Sequence, residues 1–422
     1  LSVDYGNCGF VEEAVDVLSR LIDANKESSS TFPMLHYYLG FYLEKKGEQN
    51  KVQESYQRAS RMPTDYCFPF RLESIQVLRR SQEIHPGDAR APYYLGNLLY
   101  DLQPEEAIQE WEKSRSLDET FPIVHRNLGL AYARVENDVP KATASLEKAV
   151  SLNKKDARFF YELDLLYEAG GVSPENRLSI LEKNHETVLQ RDDALSREIM
   201  LLVQLGKYQR AVDLLAGHHF HIWEGGGRIH NVYVDAHLLK GCKHFSEGEY
   251  AEALKSFEAA LEYPENLEVG RPYGGGRTAQ VYYFIGLVYE AMDDVKKAKE
   301  YYGDMVAVKH GWSEISYYQG LVFRKFRQEE KADRMFEGLI EFGKERLQAA
   351  PSLDFFAKFG ERQSAMRRQA NAHYLIGLGY LGKENKSEAR AQFQKAVELD
   401  INHLWAKQQL SWLENSLEER DR

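Results

Sequence analysis

The sequence predicts an all-α fold, a right-handed superhelical solenoid of helix–turn–helix units, on three observations. Three segments align without gaps around a glycine: Tyr282-Tyr283-Phe284-Ile285-Gly286-Leu287-Val288-Tyr289, Ser316-Tyr317-Tyr318-Gln319-Gly320-Leu321-Val322-Phe323 and His373-Tyr374-Leu375-Ile376-Gly377-Leu378-Gly379-Tyr380. Twelve residues after each glycine stands a small residue (Ala298, Ala332, Ala389), and four further on an aromatic (Tyr302, Phe336, Phe393). Gly286 and Gly320 are 34 residues apart, the length of two short helices and their turns.

Gly241 repeats the rule with Ala253, Phe257 and Ala260, and looser copies sit at Gly40 (Val52, Tyr56, Ala59), Gly96 (Ala107, Trp111) and Gly129 (Ala142, Leu146, Ala149). The pattern resembles the tetratricopeptide repeat, most specifically at Gly241, Gly286 and Gly377. Its chemistry is steric. Two antiparallel helices cross closely where a side chain is nearly absent, so the glycine is expected to face the alanine. The aromatics are expected to fill the space between adjacent units, because i, i+3 and i+4 share a helix face. One unit cannot bury its apolar face alone, whereas a stack can.

Taken in order, the units number nine or ten up to Val397, with degenerate ones around Asp164 and Leu202. Asp88 and Asp156 precede helical starts and are expected to accept the first free N–H groups. Ser173-Pro174-Glu175 reads as an N-cap followed by proline at the first helical position. Asp118, Asn153 and Asp400 end second helices. Ala14, Leu18 and Leu21 fit a second helix and put the first glycine position at Ser2, as expected of an array excised from a longer chain. Residues 404–422, with Trp405 and Trp412, read as a closing helix and charged tail. The expected organisation is one array: residues 1–217, an inserted loop 218–234, residues 235–403, then the closing helix.

Four segments break the 34-residue step: Arg71–Ile84, read as one extra helix, Leu347–Ser364, His218–Asn231 and Tyr263–Arg277. Long loops in a compact array are tolerated or functional. The strings Asp65-Tyr66-Cys67-Phe68-Pro69, Asp88-Ala89-Arg90-Ala91-Pro92-Tyr93-Tyr94-Leu95-Gly96, Trp223-Glu224-Gly225-Gly226 and Tyr263-Pro264-Glu265-Asn266-Leu267 resemble the carboxy-terminal half of a family of large bacterial proteins. In that family a β-rich, galactose-mutarotase-like domain of unknown function precedes a tetratricopeptide array. The resemblance implies kinship and no chemistry. Phe70 and Ile222 depart from the family pattern, where a polar residue and a proline are expected.

Composition removes several function classes. The balance of 54 basic and 65 acidic residues gives a net charge of −11, which repels a nucleic-acid backbone. No apolar run is long enough to span a bilayer. Cys8, Cys67 and Cys242 are three and far apart, which suits neither a disulfide framework nor a zinc finger and points to a cytoplasmic setting.

Candidate sites follow from residue type. His218, His219 and His221, with His230 and Cys242, offer metal-ligand atoms, but their spacing does not converge three imidazoles, so a packed loop centred on Trp223 is expected instead. The stretches Gly225-Gly226-Gly227-Arg228 and Gly274-Gly275-Gly276-Arg277 lack the lysine and hydroxyl of a phosphate loop and read as connectors. His221, Trp223, Glu224, Arg228 and Arg277 remain loop candidates. A carboxylate clamp maps onto Tyr93, Asn97, Asn127, Arg158 and Glu162; three match, and Glu162 repels an anion. Tyr37, Tyr93, Tyr161, Tyr283, Tyr317 and Tyr374 recur on first helices. They either line the concave surface as a tyrosine stripe or pack between first helices, and both readings stand.

The sequence therefore predicts no catalytic residues, metal or cofactor, and a scaffold binding a protein or peptide on its concave face through Tyr37, Tyr93, Asn97, Asn127, Tyr283, Tyr317 and Tyr374. Two alternatives stand beside it. One is a structural arm whose partner is an upstream carbohydrate-related domain; the other is a sugar-binding accessory region using the Trp223 loop. Neither nucleic acid nor membrane is expected as a partner.

Overall fold

The computed structural model describes residues 1–25, 32–221, 228–272, 277–349 and 365–418, and among them helices are the only regular elements. The chain forms two compact lobes. The first comprises Leu1–Gly170 with Glu186–Val188, and the second Gly171–His185 with Leu189–Arg422.

The first lobe holds α1 (Ser2–Asn7), α2 (Val11–Ala24), α3 (Pro33–Lys46), α4 (Gln49–Ser60), α5 (Glu73–Ile84), α6 (Arg90–Leu99), α7 (Pro104–Leu117), α8 (Pro122–Ala131), α9 (Val139–Leu152) and α10 (Ala157–Ala169). The second holds α11 (Pro174–Lys183), α13 (Asp192–Gln204), α14 (Tyr208–Gly217), α15 (Arg228–Ser246), α16 (Tyr250–Ala259), α17 (Thr278–Ala291) and α18 (Val295–Ala307). It continues through α19 (Glu314–Lys325), α20 (Glu329–Gln348), α21 (Ala365–Gly382), α22 (Lys386–Leu399) and α23 (Leu404–Glu418). The single turn α12 (His185–Val188) falls at the lobe boundary.

Helices pack as consecutive antiparallel pairs: α3 on α4, α6 on α7 and α8 on α9 in the first lobe, then α15 on α16, α17 on α18, α19 on α20 and α21 on α22 in the second. The expected extra helix is α5, which packs against α3 and α6. Asp88 Oδ1 accepts the Arg90 N–H at 2.7 Å, Asp156 Oδ1 accepts the Arg158 N–H at 3.0 Å, and Ser173 Oγ accepts the Asn176 N–H at 3.4 Å, as the sequence predicts. The 57-residue step from Gly320 to Gly377 contains the long helices α20 and α21; residues 350–364 lie outside the described part.

At Gly129 the glycine faces the alanine as expected, a Cβ there meeting the Ala142 carbonyl at 3.0 Å, and Gly96 also lies 3.0 Å from the Ala107 carbonyl. At Gly40, Gly96, Gly241, Gly286, Gly320 and Gly377 the nearest group is instead the aromatic ring of the same unit's second helix. A Cβ on Gly377 would meet Phe393 Cε1 at 2.5 Å, one on Gly96 the Trp111 Nε1 at 2.5 Å, and one on Gly40 the Tyr56 Cε1 at 2.8 Å. Gly241, Gly286 and Gly320 lie closer still to Phe257, Tyr302 and Phe336. Real Cβ atoms do not approach that near, so the ring and the glycine define each other. The degenerate repeat on α13 and α14 shows the converse. Ile199 replaces the glycine, Leu215 the aromatic, and both are buried around Ala211. A smaller partner leaves room for a larger first-helix residue, which conserves volume.

The turn between paired helices is equally regular. Seven residues after the glycine position the backbone turns left-handed at Gly9, Gly47, Gly206, Gly248, Asp293, Arg327 and Glu384. The next N–H returns to a carbonyl of the first helix at 2.8–2.9 Å, as from Glu48 to Leu43, Asp294 to Tyr289 and Gln328 to Phe323. This closes otherwise unpaired helix-end carbonyls. Gly129 has a π turn, Tyr132–Glu136, before its left-handed Asn137, and that extra residue moves Ala142 to thirteen positions beyond the glycine. Gly96 has the shorter closure from Gln103 N–H to the Leu99 carbonyl at 2.7 Å, and Ala107 follows after eleven. The looser copies at Gly96 and Gly129 are thus ordinary repeats with turns one residue shorter or longer, and the one at Gly40 has the regular turn.

Two stability changes follow. Gly286→Ala drives a methyl into the Tyr302 ring and should cost about 1–3 kcal/mol in urea unfolding. Glu384→Gly relieves a left-handed residue with φ +62° and should gain about 0.5–1 kcal/mol. A neutral Gly286→Ala would refute the ring-and-glycine register.

Candidate functional site

In the first lobe the predicted binding residues are taken up by internal bonds. Tyr37 is fully buried, and its hydroxyl donates to Asp88 Oδ2 at 2.7 Å. Burial pushes that phenol well above its ordinary pKa, and the Asp88 carboxylate adds to the rise. Tyr93 is buried with its ring 5.0 Å from Phe121. Asn97 Oδ1 accepts from Trp111 Nε1 at 3.1 Å and from Asn127 Nδ2 at 2.9 Å. Asn127 Oδ1 accepts from Arg126, which is paired with Glu162. Arg158 turns back onto Asp156 at 3.1 Å. The clamp positions therefore hold one another across α6, α8 and α10.

The two long loops of the second lobe brace each other. Asn266 Nδ2 donates to the carbonyls of Leu215 at 2.8 Å and His218 at 2.6 Å, and the Phe220 N–H donates to the Asn266 carbonyl at 2.7 Å. Phe220 and Leu267 are buried beneath. The histidines go to two carboxylates and not to one centre: His218 Nε2 lies 2.8 Å from Asp192, His219 Nε2 2.9 Å from Glu268, and the exposed His221 ring 3.6 Å from Asp192. Trp223 and Glu224 lie outside the described residues, as does the side chain of Arg228.

Arg277 is the loop candidate with the most partners. Its guanidinium donates to Gln280 Oε1 at 2.8 and 3.0 Å and pairs with Asp235 of α15. Burial opposes its charge, but the Asp235 carboxylate more than offsets this and holds the pKa above its usual value. Gln280 passes the chain of bonds to the Tyr318 hydroxyl at 3.2 Å.

The first helices α15, α17, α19 and α21 present Asp235, Cys242 and Phe245, then Tyr283 and Leu287, then Tyr317 and Leu321, then Tyr374. Three predicted tyrosines come together here. They meet a segment of the same chain. Tyr374 lies 4.7 Å from the His403 ring, just before α23. Trp405 Nε1 donates to Asp235 Oδ1 at 2.8 Å, and Arg277 stands 5.5 Å over the Trp405 ring. Two turns along α23, Trp412 and Gln409 wall a pocket of about 290 Å³ whose other sides are Cys242, Phe245, Tyr283, Leu287, Tyr317 and Leu321. The two indoles sit edge to face at 6.4 Å. Ahead of the helix, the Asn402 side chain accepts from Arg177 Nη1 at 2.9 Å and its carbonyl from Gln204 Nε2 at 3.3 Å.

The site is thus polar at one end and apolar at the other. Asp235 receives two donors, each hydrogen bond to a charged group being worth about 1.5–3 kcal/mol. Tyr283 and Tyr317 are only 8% exposed because each also stacks inside the array, Tyr283 at 4.9 Å from Tyr318 and Tyr317 at 5.3 Å from it. Each ring therefore packs inside the array on one side and borders the pocket on the other. Sequence reasoning missed Asp235, Phe245 and Gln409. The available signal was the spacing of Trp405, Gln409 and Trp412, which share one helix face.

Residues 234–267, 279–304 and 370–403 match the tetratricopeptide repeat family model, all within the second lobe, and the chain carries tetratricopeptide repeats. Among curated proteins, it is 30% identical over 97 residues to the transcription activator GutR of Bacillus subtilis, which covers 22% of this chain and 11% of that protein. It is 30% identical over 114 residues to the photosystem I assembly protein Ycf3 of Rippkaea orientalis, covering 25% and 61%. The match therefore spans less than two thirds of either relative. Among solved structures, yeast Tom70 aligns with all of this chain and 88% of its own at 14% identity and a TM-score of 0.34. YrrB, described as a tetratricopeptide repeat protein with an unusual peptide-binding site, aligns over 56% of this chain and 93% of its own at 18% identity and a TM-score of 0.26. Among the described residues no helix is long and apolar enough to cross a membrane.

One titration follows from the site's neighbourhood. His237 on α15 is buried 4.5 Å from the Tyr233 ring, its Nδ1 has no hydrogen-bond partner, and burial lowers its pKa to about 4. A histidine whose folded pKa lies below its unfolded value stabilises fully above pH 6.5 and loses that contribution as pH falls towards 4. By pH 5 the loss should be about 2 kcal/mol. His237→Gln should flatten the fall of the melting temperature between pH 6.5 and 5; an unchanged slope would place the histidine in water.

Proposed function

We propose that this array of tetratricopeptide repeats is a non-catalytic scaffold that binds a segment of a protein partner on the inner face of its second lobe. The observation that carries the reading is the apolar pocket between the first helices, lined by Phe245, Tyr283, Leu287, Tyr317 and Leu321, with the Asp235–Arg277 pair about two turns earlier along α15. Side chains from three successive repeats contribute, so the surface is continuous where a single unit would offer only a stripe. Tyrosine suits such a surface, giving large contact area with a polar tip. The titratable groups present are occupied or held neutral. Asp235 is shared by two donors, and burial pushes the Cys242 thiol far above its ordinary pKa, away from the reactive thiolate.

A second reading draws on a different observation. The inner face is contacted by the chain's own carboxy-terminal helix, which suits a structural arm with no ligand of its own.

Leu287→Glu with Leu321→Glu separates the two. Both residues are half-buried on the pocket wall, and two carboxylates there should abolish apolar docking while leaving the fold. Affinity capture from a bacterial lysate on parent and variant, followed by titration calorimetry with the captured protein, reads the result. A protein held by the parent and lost by the variant, with unchanged circular dichroism, is the expected outcome. Equal capture by both would favour the arm.

A further inference from the structure

The inner face of the second lobe holds α23 along one line, and the geometry points to the chemistry of the partner that belongs there. We infer that this surface is a receptor for an amphipathic α-helix bearing two indole-sized aromatic residues seven positions apart, and that α23 occupies it as an internal stand-in. The inference rests on the reading of this face as a binding surface and names its ligand class.

Three features carry it. Trp405, Gln409 and Trp412 fall at i, i+4 and i+7, one face of one helix, and that face meets α15, α17 and α19. The contact is chemically graded. At the Trp405 end an indole N–H finds a carboxylate, Asp235, with the Arg277 guanidinium over the ring. At the Trp412 end the walls are Cys242, Phe245, Leu287 and Leu321, with no charge. A helix entering in the reverse direction would put its unpaired N–H against the apolar end, so polarity sets orientation.

The third feature is that the seat is incompletely filled. A pocket of about 290 Å³ remains between Trp412, Gln409 and the facing helices, and Trp405 and Trp412 stay half-buried while Gln409 is 4% exposed. Interiors evolved only for stability close such space. A helix that adds apolar side chains beside an indole at the Trp412 position buries more of the same walls than α23 does. Such a helix competes with α23 directly, because both need Asp235 and the same apolar wall. The link before α23, Asp400–His403, is four residues long and is held by Arg177 and Gln204 through Asn402, which keeps the resident helix close to its seat.

The experiment is a binding titration in trans. A fluorescein-labelled peptide of residues 401–418 is added to the full chain and to the full chain carrying Trp405→Ala and Trp412→Ala, and anisotropy is followed. The substituted chain should bind the peptide at least about tenfold more tightly than the parent, since a resident helix raises the apparent Kd by the reciprocal of the open fraction. A peptide with both tryptophans replaced by alanine should not bind either chain. Gln409→Glu, which sets a carboxylate against the aromatic wall, serves as the opened chain if the double variant loses helicity beyond α23. Equal uptake by parent and opened chain overturns the inference, because the peptide would then sit elsewhere. Exchange of α23 between two copies of the parent, seen as a dimer by light scattering, also overturns it. If neither chain binds the peptide, the inference fails. Capture of a protein by the opened chain that is lost on adding Leu287→Glu and Leu321→Glu would then leave the binding-surface reading standing, and absence of such capture would end both.

Discussion

The contact between a repeat's glycine and the ring sixteen residues later sets the spacing on which everything else here depends. It fixes how near the two helices of a unit come, and it buries a ring that also reaches the next unit, as Phe336 does against Gly382 and Phe257 against Phe284. Because Tyr302, Phe336 and Phe393 are held by Gly286, Gly320 and Gly377, they are withdrawn from any surface. The first-helix tyrosines three residues before these glycines, Tyr283, Tyr317 and Tyr374, pack against the same rings and keep only a narrow exposed edge of 5–8%. Inner-face chemistry is therefore a by-product of how the glycine is filled. The Ile199–Leu215 repeat has no such ring, and no tyrosine stands before it.

The regular turn adds the second constraint. A left-handed residue seven positions after the glycine, with the returning N–H behind it, gives each pair the same reversal whether glycine, aspartate, arginine or glutamate supplies it. Non-glycine residues in that region cost energy, about 1–2 kcal/mol each. Their recurrence shows that the packed pair outweighs local preference. Where the turn gains a residue, as after Gly129, the cost appears as a π turn in the first helix, and the second helix keeps its register.

Much of this was legible. Glycine, alanine and aromatic positions gave the pairing of helices, and Asp88, Asp156 and Ser173 gave their starts, because these are local signals of fixed offset. The partner of the glycine was not, since spacing alone does not say whether the residue at twelve or at sixteen faces it. The fate of the tyrosines was harder still. Tyr37 and Tyr283 occupy the same repeat position, yet one is spent on Asp88 and the other lines a pocket. What separates them is the residue brought alongside by packing: a buried carboxylate from the helix start after α5 in one case, and a tryptophan helix over a hundred residues away in the other. The Trp405–Asp235 bond spans 170 positions, and no periodicity reports it.

A groove closed by its own chain and a groove made for a partner are often set against each other, but here the same residues argue for both. The Asp235 carboxylate beside Arg277 would be a liability if it were buried for stability alone, because an apolar pair of the same volume would do as well or better. Paired charges at one end of an apolar wall earn their place when direction matters, and direction matters for a helix that must seat in one orientation. The neutral Tyr374 hydroxyl, buried without a hydrogen-bond partner beside His403, points the same way. Well-filled seats satisfy such groups. An occupant that satisfied that hydroxyl and filled the space beside Trp412 would fit this face better than α23 does.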